Sequence, residues 1–326
     1  MMTTDGPGAQ DSERVLITGG AGFIGSHLAV RMAATGRHVG VIDNLAAGSK
    51  EHLETLTAAG VRAEDVFNAD VSGPEAAGVV AGWRPGIIVH LAAQSRVAAS
   101  VDDPVGGART NVVGTVNLLA AAAEAGVATF VAASSGGAAY GSLPADAGFQ
   151  HEHTARRPLS PYGASKAAAD LYLRTYGESF GVVCTSLLLG NVYGPRLDRR
   201  YSGDVISRTI GNLRSGQRPQ IYGDGGQTRD FVHVSDVVEA FLSACERGIP
   251  GSFNIGTGIE TSVHRVVEMV CEAMDEPPKV EYAPDLPAEV RRVRLDATAA
   301  ARHLDWKPTI DLAAGIRDMC AAGPRP

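Results

Sequence analysis

The chain has 326 residues, is 44% hydrophobic and 20% charged, and carries a formal net charge of −7. That length suits about two domains of ~150 residues each, the composition is that of an ordinary globular protein, and the lack of any long basic run argues against a nucleic-acid partner. Cys184, Cys245, Cys271 and Cys320 are scattered with no CxxC pair, which argues for reduced thiols and against a metal centre.

In chain order, residues 1–13 are polar and lack the apolar stretch of a signal peptide, so a disordered tail on a cytoplasmic protein is expected. No apolar run reaches the ~20 residues that would span a bilayer. Residues 15–17 form a short apolar run that stops at a glycine cluster. A helical pattern over 23–35 follows, with Gly36 in the C-cap region. The next apolar run, 39–42, ends at Asp43. The alternation continues with a strand over 61–67, a short helix over 74–82 and a buried strand over 87–91. An alanine-rich helix over 108–125, a strand over 129–133, a helix over 160–180 and an apolar strand over 182–189 complete it. Repeated strand–helix units with continuously apolar strands predict an α/β fold, a parallel sheet covered by helices on both faces. Past Gly190 the elements shorten and Gly, Pro and Arg become frequent. The expected organisation is a large domain over 14–190 and a smaller mixed α/β substrate domain over 191–326, with a return to the large domain near 231–247.

Gly19, Gly22 and Gly25 follow the first strand and open the first helix. Glycines there permit a tight turn and let backbone N–H groups approach a pyrophosphate at a helix N-terminus, the mark of a Rossmann-type, doubly wound dinucleotide fold. Asp43, ending the second strand, is placed to accept from ribose hydroxyls and to repel the extra phosphate of NADP, which favours NAD. Asp70, after the third strand, either accepts from the adenine amino group or caps the next segment.

Ser160 and Pro161 suit the N-cap and first position of a helix, which puts Tyr162 and Lys166 one turn apart on one face. A neighbouring ammonium, with a bound nicotinamide cation, would lower the phenol's pKa from ~10 and make Tyr162 a general base toward a hydroxyl. His151-Glu152-His153 lacks metal-ligand spacing, and Glu152 is expected to order the loop before this helix. His233 reads as a structural strand histidine, with Ser235 or Asp236 capping the helix after it.

With these pieces in place, the chain from about 14 to 308 resembles the extended short-chain dehydrogenases, the NAD-dependent epimerase/dehydratase family. The motifs are TGGAGFIG at 18–25, DNL at 43–45, HLAAQ at 90–94, NVVGT at 111–115, SSGGAAYG at 134–141, SPYGASK at 160–166, GNVYGPR at 190–196 and GDGGQTRDFVHVSDV at 223–237. The resemblance implies an NAD site formed by Phe23 and Ile24 beside the glycines, Asn44 beside Asp43, and Val71 beside Asp70. Leu91, Ala92, Ala93, Gln94, Tyr162 and Lys166 complete that implied site.

Within the family the chain is most similar to the UDP-glucose 4-epimerase group. This implies that hydride leaves C4 of a UDP-sugar for NAD while the tyrosine takes the hydroxyl proton, and that the 4-keto sugar turns and is reduced on its other face. The family's dehydratases carry an acid in the loop before the first Tyr-Gly; here that loop, Gly136-Gly137-Ala138-Ala139, has none, which favours epimerisation. A hydroxyl is expected where Gly136 stands, so Ser135, or a shifted Gly-Gly turn, is assigned to supply it.

At the nucleotide-sugar end the resemblance implies Asn191 on the phosphates or sugar and Arg229 on the pyrophosphate. A second phosphate-binding arginine of the family falls at Leu286, so Arg291 or Arg292 is expected to replace it, and Val293 aligns with the position that sets room around the sugar. Arg196 is placed to pair a C6 carboxylate, which keeps UDP-glucuronate/UDP-galacturonate beside UDP-glucose/UDP-galactose. The family also implies a homodimer through the alanine-rich helix and the Tyr162 helix. The alternatives are a dehydratase or net oxidoreductase of the same family, and a non-catalytic NAD-sensing module, which would have no use for Tyr162 and Lys166.

Overall fold

A computed structural model describes residues 14–196 and 204–321; the tail expected over 1–13 lies outside them. The strands are β1 (Arg14–Thr18), β2 (His38–Ile42), β3 (Val66–Phe67), β4 (Ile87–His90), β5 (Thr129–Ser135) and β6 (Val183–Leu189). They continue with β7 (Asn191–Tyr193), β8 (Gln220–Tyr222), β9 (Thr228–His233), β10 (Gly251–Ile255), β11 (Glu260–Ser262) and β12 (Glu281–Ala283). Seven form one sheet in the order β10-β6-β5-β4-β1-β2-β3, and every neighbouring pair is parallel. The strand order reverses between β1 and β4, and a crevice opens beyond their C-terminal ends, where a doubly wound sheet binds its ligand.

Both sheet faces are buried, which is why the strands read as largely apolar runs without a polar alternation. Val15 and Ile17 point to one side, against Leu28 and Met32 of the helix Phe23–Ala34 and Phe241 of the helix Val234–Arg247. Leu16, Ile88 and Phe130 point to the other, against Leu118, Leu119, Trp83 and Leu173. Past β6 the chain builds a mixed three-stranded sheet, β11-β9-β7, and a parallel pair, β12-β8. A separate core of Tyr193, Ile206, Ile210, Ile221, Phe231 and Val266 lies there. The helix Val234–Arg247 and β10 lead back into the large sheet, where β10 pairs with β6.

Three local readings change. The strand expected over 61–67 shrinks to β3, because Asp65 turns inward in a short 3-10 helix and accepts from Trp83 Nε1 and His38 Nε2, both at 2.7 Å. The helix expected over 108–125 is interrupted by a π turn, Arg109–Val113, before Gly114–Ala125. Such turns are frequent at functional sites, and this one carries Asn111 into the interior, 2% exposed. The helix Val234–Arg247 is capped by the His233 ring, which accepts from the Ser235 amide, and not by Ser235 or Asp236. Asp236 instead accepts from the amides of Thr309 and Ile310, fastening the segment before the last helix.

Candidate active site

A cavity of about 910 Å³ runs along the C-terminal ends of the large sheet's strands into the smaller unit. At one end the first glycine turn presses against β4: a Cβ on Gly19 would stand 2.7 Å from the Ala92 nitrogen, and one on Gly25 would run into the Gly19 carbonyl oxygen. Gly22 caps the helix Phe23–Ala34 with no side chain, so the first-turn amides at Phe23 and Ile24 have no side-chain acceptor, and both residues line the cavity. Asp43 accepts from the amides of Ala21 (2.9 Å) and Leu45 (2.8 Å), joining β2's exit to the glycine turn. Burial raises its pKa, and those two amides pull it back. Asp70 accepts from the amide and hydroxyl of Ser72 and from Asn44, and the Ser72 contacts hold its carboxyl below the usual range. Val71 and Leu91 through Gln94 line the same stretch. These residues fit a dinucleotide: a side-chain-free turn, unspent helix amides and a carboxylate at the end of the second strand.

Next to this lies the centre of the cavity. Ser160 Oγ accepts from the Gly163 amide and Pro161 takes the first helical position, which starts the helix Pro161–Ser179 as its sequence suggests. The Tyr162 amide donates to Ser100 Oγ, and Ser165 Oγ donates to the Tyr162 carbonyl. Asn111, unrecognised as a site residue in the sequence, ties the parts together. Its Oδ1 accepts from the Gln94 amide, and its Nδ2 donates to the Gln94 carbonyl and to Ser165 Oγ. The clue was NVVGT, whose asparagine sits in a run otherwise suited to a helix.

Lys166, 7% exposed, donates from Nζ to the Ala133 carbonyl at 2.9 Å. Burial pulls its pKa down to about 8, while the Asp170 carboxylate one turn on pulls it up. Asp170 is itself anchored by the hydroxyls of Ser134 (2.9 Å) and Ser186 (2.7 Å), which bolts this helix to β5 and β6. Burial pushes the Tyr162 phenol up to about 12, with the Ser135 hydroxyl pulling the other way. Among the protein's own groups desolvation dominates, and Lys166 is not among those that lower this phenol.

Ser135 ends β5 and caps the short helix Gly136–Ala139, accepting from the Ala138 amide at 3.1 Å. Ser135, Gly137 and Ala138 line the cavity. Gly136 faces away: a Cβ there would press to 2.7 Å from Leu295 Cδ1. Val293 is fully buried with Tyr140, Leu188 and Leu295 and does not border the cavity, whereas Val290 and Gly137 do.

The far end is lined by Asn191, Arg208, Tyr222, Gln227, Arg229 and the segment 286–290. Arg229 NH2 lies 3.1 Å from Glu289 Oε1; burial lowers the guanidinium's pKa and Glu289 supports it. Arg291 does not reach the cavity. Its guanidinium forks onto Asp224 at 3.0 and 3.2 Å and its amide donates to Ser142 Oγ, which holds it outside. Arg292 is likewise committed to Glu260, at 2.7 Å. Arg196 borders the cavity with its guanidinium toward the first helix, 3.4 Å from Ser26 Oγ and 3.1 Å from His27 Nδ1. Glu152 accepts from the Asn254 amide, and His151 pairs with Asp296. Among the described residues no group of three His, Cys, Asp or Glu could hold a metal ion. No helix among them is long and apolar enough to cross a membrane.

Residues 16–319 match the GDP-mannose 4,6 dehydratase family. The chain is 41% identical over 304 residues to a UDP-glucose 4-epimerase of Mycolicibacterium smegmatis, covering 93% of this chain and 96% of that protein. It is 36% identical over 312 residues to a dTDP-glucose 4,6-dehydratase of Streptomyces griseus, covering 93% and 91%. Its fold matches the crystal structure of the Thermus thermophilus UDP-glucose 4-epimerase in complex with NAD, with a TM-score of 0.86, 38% identity, and coverage of 93% and 96%.

Proposed function

This chain belongs to the NAD-dependent epimerase/dehydratase family of extended short-chain dehydrogenases, and from that premise we propose that it is a UDP-sugar 4-epimerase working on bound NAD. The observation that carries the choice of reaction is the distribution of carboxylates. Among the described residues, those lining the cavity stand at its two ends: Asp43 and Asp70 on the dinucleotide side, Asp204 and Glu289 on the other. The wall around Tyr162, from Ser135 to Ala138, offers only a hydroxyl, small side chains and backbone. Loss of water from a sugar needs an acid and a base beside the ring, and that wall supplies a single proton-transfer group, Tyr162.

Bound NAD supplies the hydride acceptor and, through its cationic ring, the charge that favours the Tyr162 phenolate. The chain does the rest. Tyr162 takes the C4 hydroxyl proton and returns it after the keto sugar has turned. Ser135 hydrogen-bonds the same oxygen, and Lys166 lends positive charge from behind, kept ionised by Asp170. Asn111 and Ser165 fix the helix that carries the pair. Asn191 and Arg229 hold the nucleotide diphosphate. The engagement of Arg196 with Ser26 and His27 supports the neutral pair, UDP-glucose and UDP-galactose, over the uronates. We place a homodimer contact on the helix Pro161–Ser179, where Leu171 and Tyr172 are 58% and 43% exposed, together with Val113 beside the neighbouring helix.

The test is incubation of the purified protein, without added cofactor, with UDP-glucose and separately with UDP-glucuronic acid, followed by chromatography. The expected product is UDP-galactose from the first. A 4-keto-6-deoxy product would transfer the chain to the dehydratases, and a 4-epimer from the uronate alone would reassign the sugar. No conversion of either, even with NAD added, would overturn the reading.

A further inference from the structure

The far wall of the cavity carries two arginines with different surroundings. Arg229 already has a counter-ion in Glu289, 3.1 Å away. Arg208, in the first turn of the helix Val205–Arg214, has none at that distance among the described residues. Asp204, one turn before it, serves as the helix N-cap, accepts from the Ser207 amide at 2.7 Å and feels the Arg208 charge without a direct contact to it. The Arg208 guanidinium lies over the Tyr222 ring, 5.1 Å from its centroid, and both residues line the cavity. Its Nε is shut away from solvent and has no hydrogen-bond partner. An atom closed to water is closed to a ligand in the cavity as well, so the terminal nitrogens of the fork, and not Nε, are what the cavity can reach.

Stacking on an aromatic ring restrains a guanidinium while leaving its in-plane N–H groups available, and that planar fork matches phosphate oxygens better than a point charge does. We infer that Arg208 is a binding residue for the diphosphate of the nucleotide-sugar, held ready by Tyr222, and that it supplies the second cation that neither Arg291 nor Arg292 brings to the cavity. This rests on the nucleotide-sugar reading above. Arg229 and Arg208 then grip one diphosphate from two elements, β9 and the helix Val205–Arg214, and Glu289 offsets only the first of them.

The experiment titrates the NAD-loaded full chain with UDP by calorimetry and with uridine by ligand-observed NMR, for the unsubstituted protein and for R208Q and R208K. In R208Q, UDP affinity is expected to fall about ten- to a hundredfold, the worth of a charge-assisted contact. Uridine binding should stay within about twofold, and melting temperature and NAD content should be unchanged. R208K keeps the charge without the fork and should fall between the two, which carries the test if R208Q does not fold. Unchanged UDP affinity in either variant, or uridine weakening in step with UDP, overturns the inference. Failure of the unsubstituted chain to bind UDP overturns the nucleotide-sugar reading and, with it, this one.

Discussion

Replacing Lys166 by Met should make the protein more stable and inactive at once. The lysine is 7% exposed, and burial pulls its pKa from 10.5 to about 8. The gap between those values, at ~1.4 kcal/mol per pH unit, means that keeping the ammonium inside costs about 3 kcal/mol. Methionine has a similar length, needs no solvation and can fill the space, but it gives up the hydrogen bond from Nζ to the Ala133 carbonyl, worth about 1 kcal/mol. A net gain of about 2 kcal/mol remains, which for a chain of this size raises the melting temperature by roughly 3 °C. The folded pKa lies below the unfolded one, so between about pH 8 and 10.5 the folded chain has released a proton that the unfolded chain still holds. Stability of the unsubstituted protein therefore rises with pH across that window. The penalty is fully present below about pH 8 and gone above 10.5, and the advantage of Lys166→Met should shrink over the same interval. Differential scanning calorimetry at pH 7, 9 and 10.5, with the epimerisation assay alongside, measures all of this. A lower melting temperature for the variant at pH 7, or a gain that does not change with pH, would refute the argument that the site stores this desolvation cost.

Tyr162→Phe removes the only proton-transfer group among the described residues of the central wall and should slow turnover by about 10²–10⁴-fold while NAD content and UDP affinity hold; a variant that still epimerises at near-normal rate would need another base. Gly25→Ala puts a Cβ against the Gly19 carbonyl and 2.8 Å from Gly20 Cα, so the turn must open; the protein should purify without NAD and lose roughly 1–3 kcal/mol in a urea titration. Asp230, fully buried, accepts from the Thr257 amide and hydroxyl at 2.7 Å, the Gly258 amide at 2.9 Å and the Leu295 amide at 3.1 Å. Asp230→Asn turns an NH₂ toward these donors and should cost about 2–4 kcal/mol, read as an earlier urea midpoint. Leu171→Glu, on the exposed face of the helix Pro161–Ser179, should convert a dimer to a monomer in size-exclusion chromatography with light scattering, and a monomeric parent protein would remove that interface from the proposal.

What the sequence determined by itself is what depends on near neighbours in the chain. Runs such as 15–17, 87–89 and 187–189 are apolar because both faces of a parallel sheet are buried, so the alternation that predicts an α/β fold is written locally. The glycine turn before Phe23 and the one-turn spacing of Tyr162 and Lys166 are likewise properties of a few consecutive residues. Tertiary structure decided the rest. β10 joins the large sheet only because β6 lies free beside it, and no local pattern in Gly251–Ile255 names that partner. Asn111 faces inward because a π turn shifts the helical register, and Gly136 faces buried Leu295 instead of the cavity because the chain packs there against that side chain. Arg291, Arg292 and Arg208 are alike in sequence. Asp224 and Glu260 hold the first two outside the cavity, and Tyr222 holds the third on its wall. The pKa of the phenol has the same origin. Charge pairing can be guessed from spacing, but desolvation is set by everything that packs around a group, and at Tyr162 desolvation outweighs the Ser135 hydrogen bond.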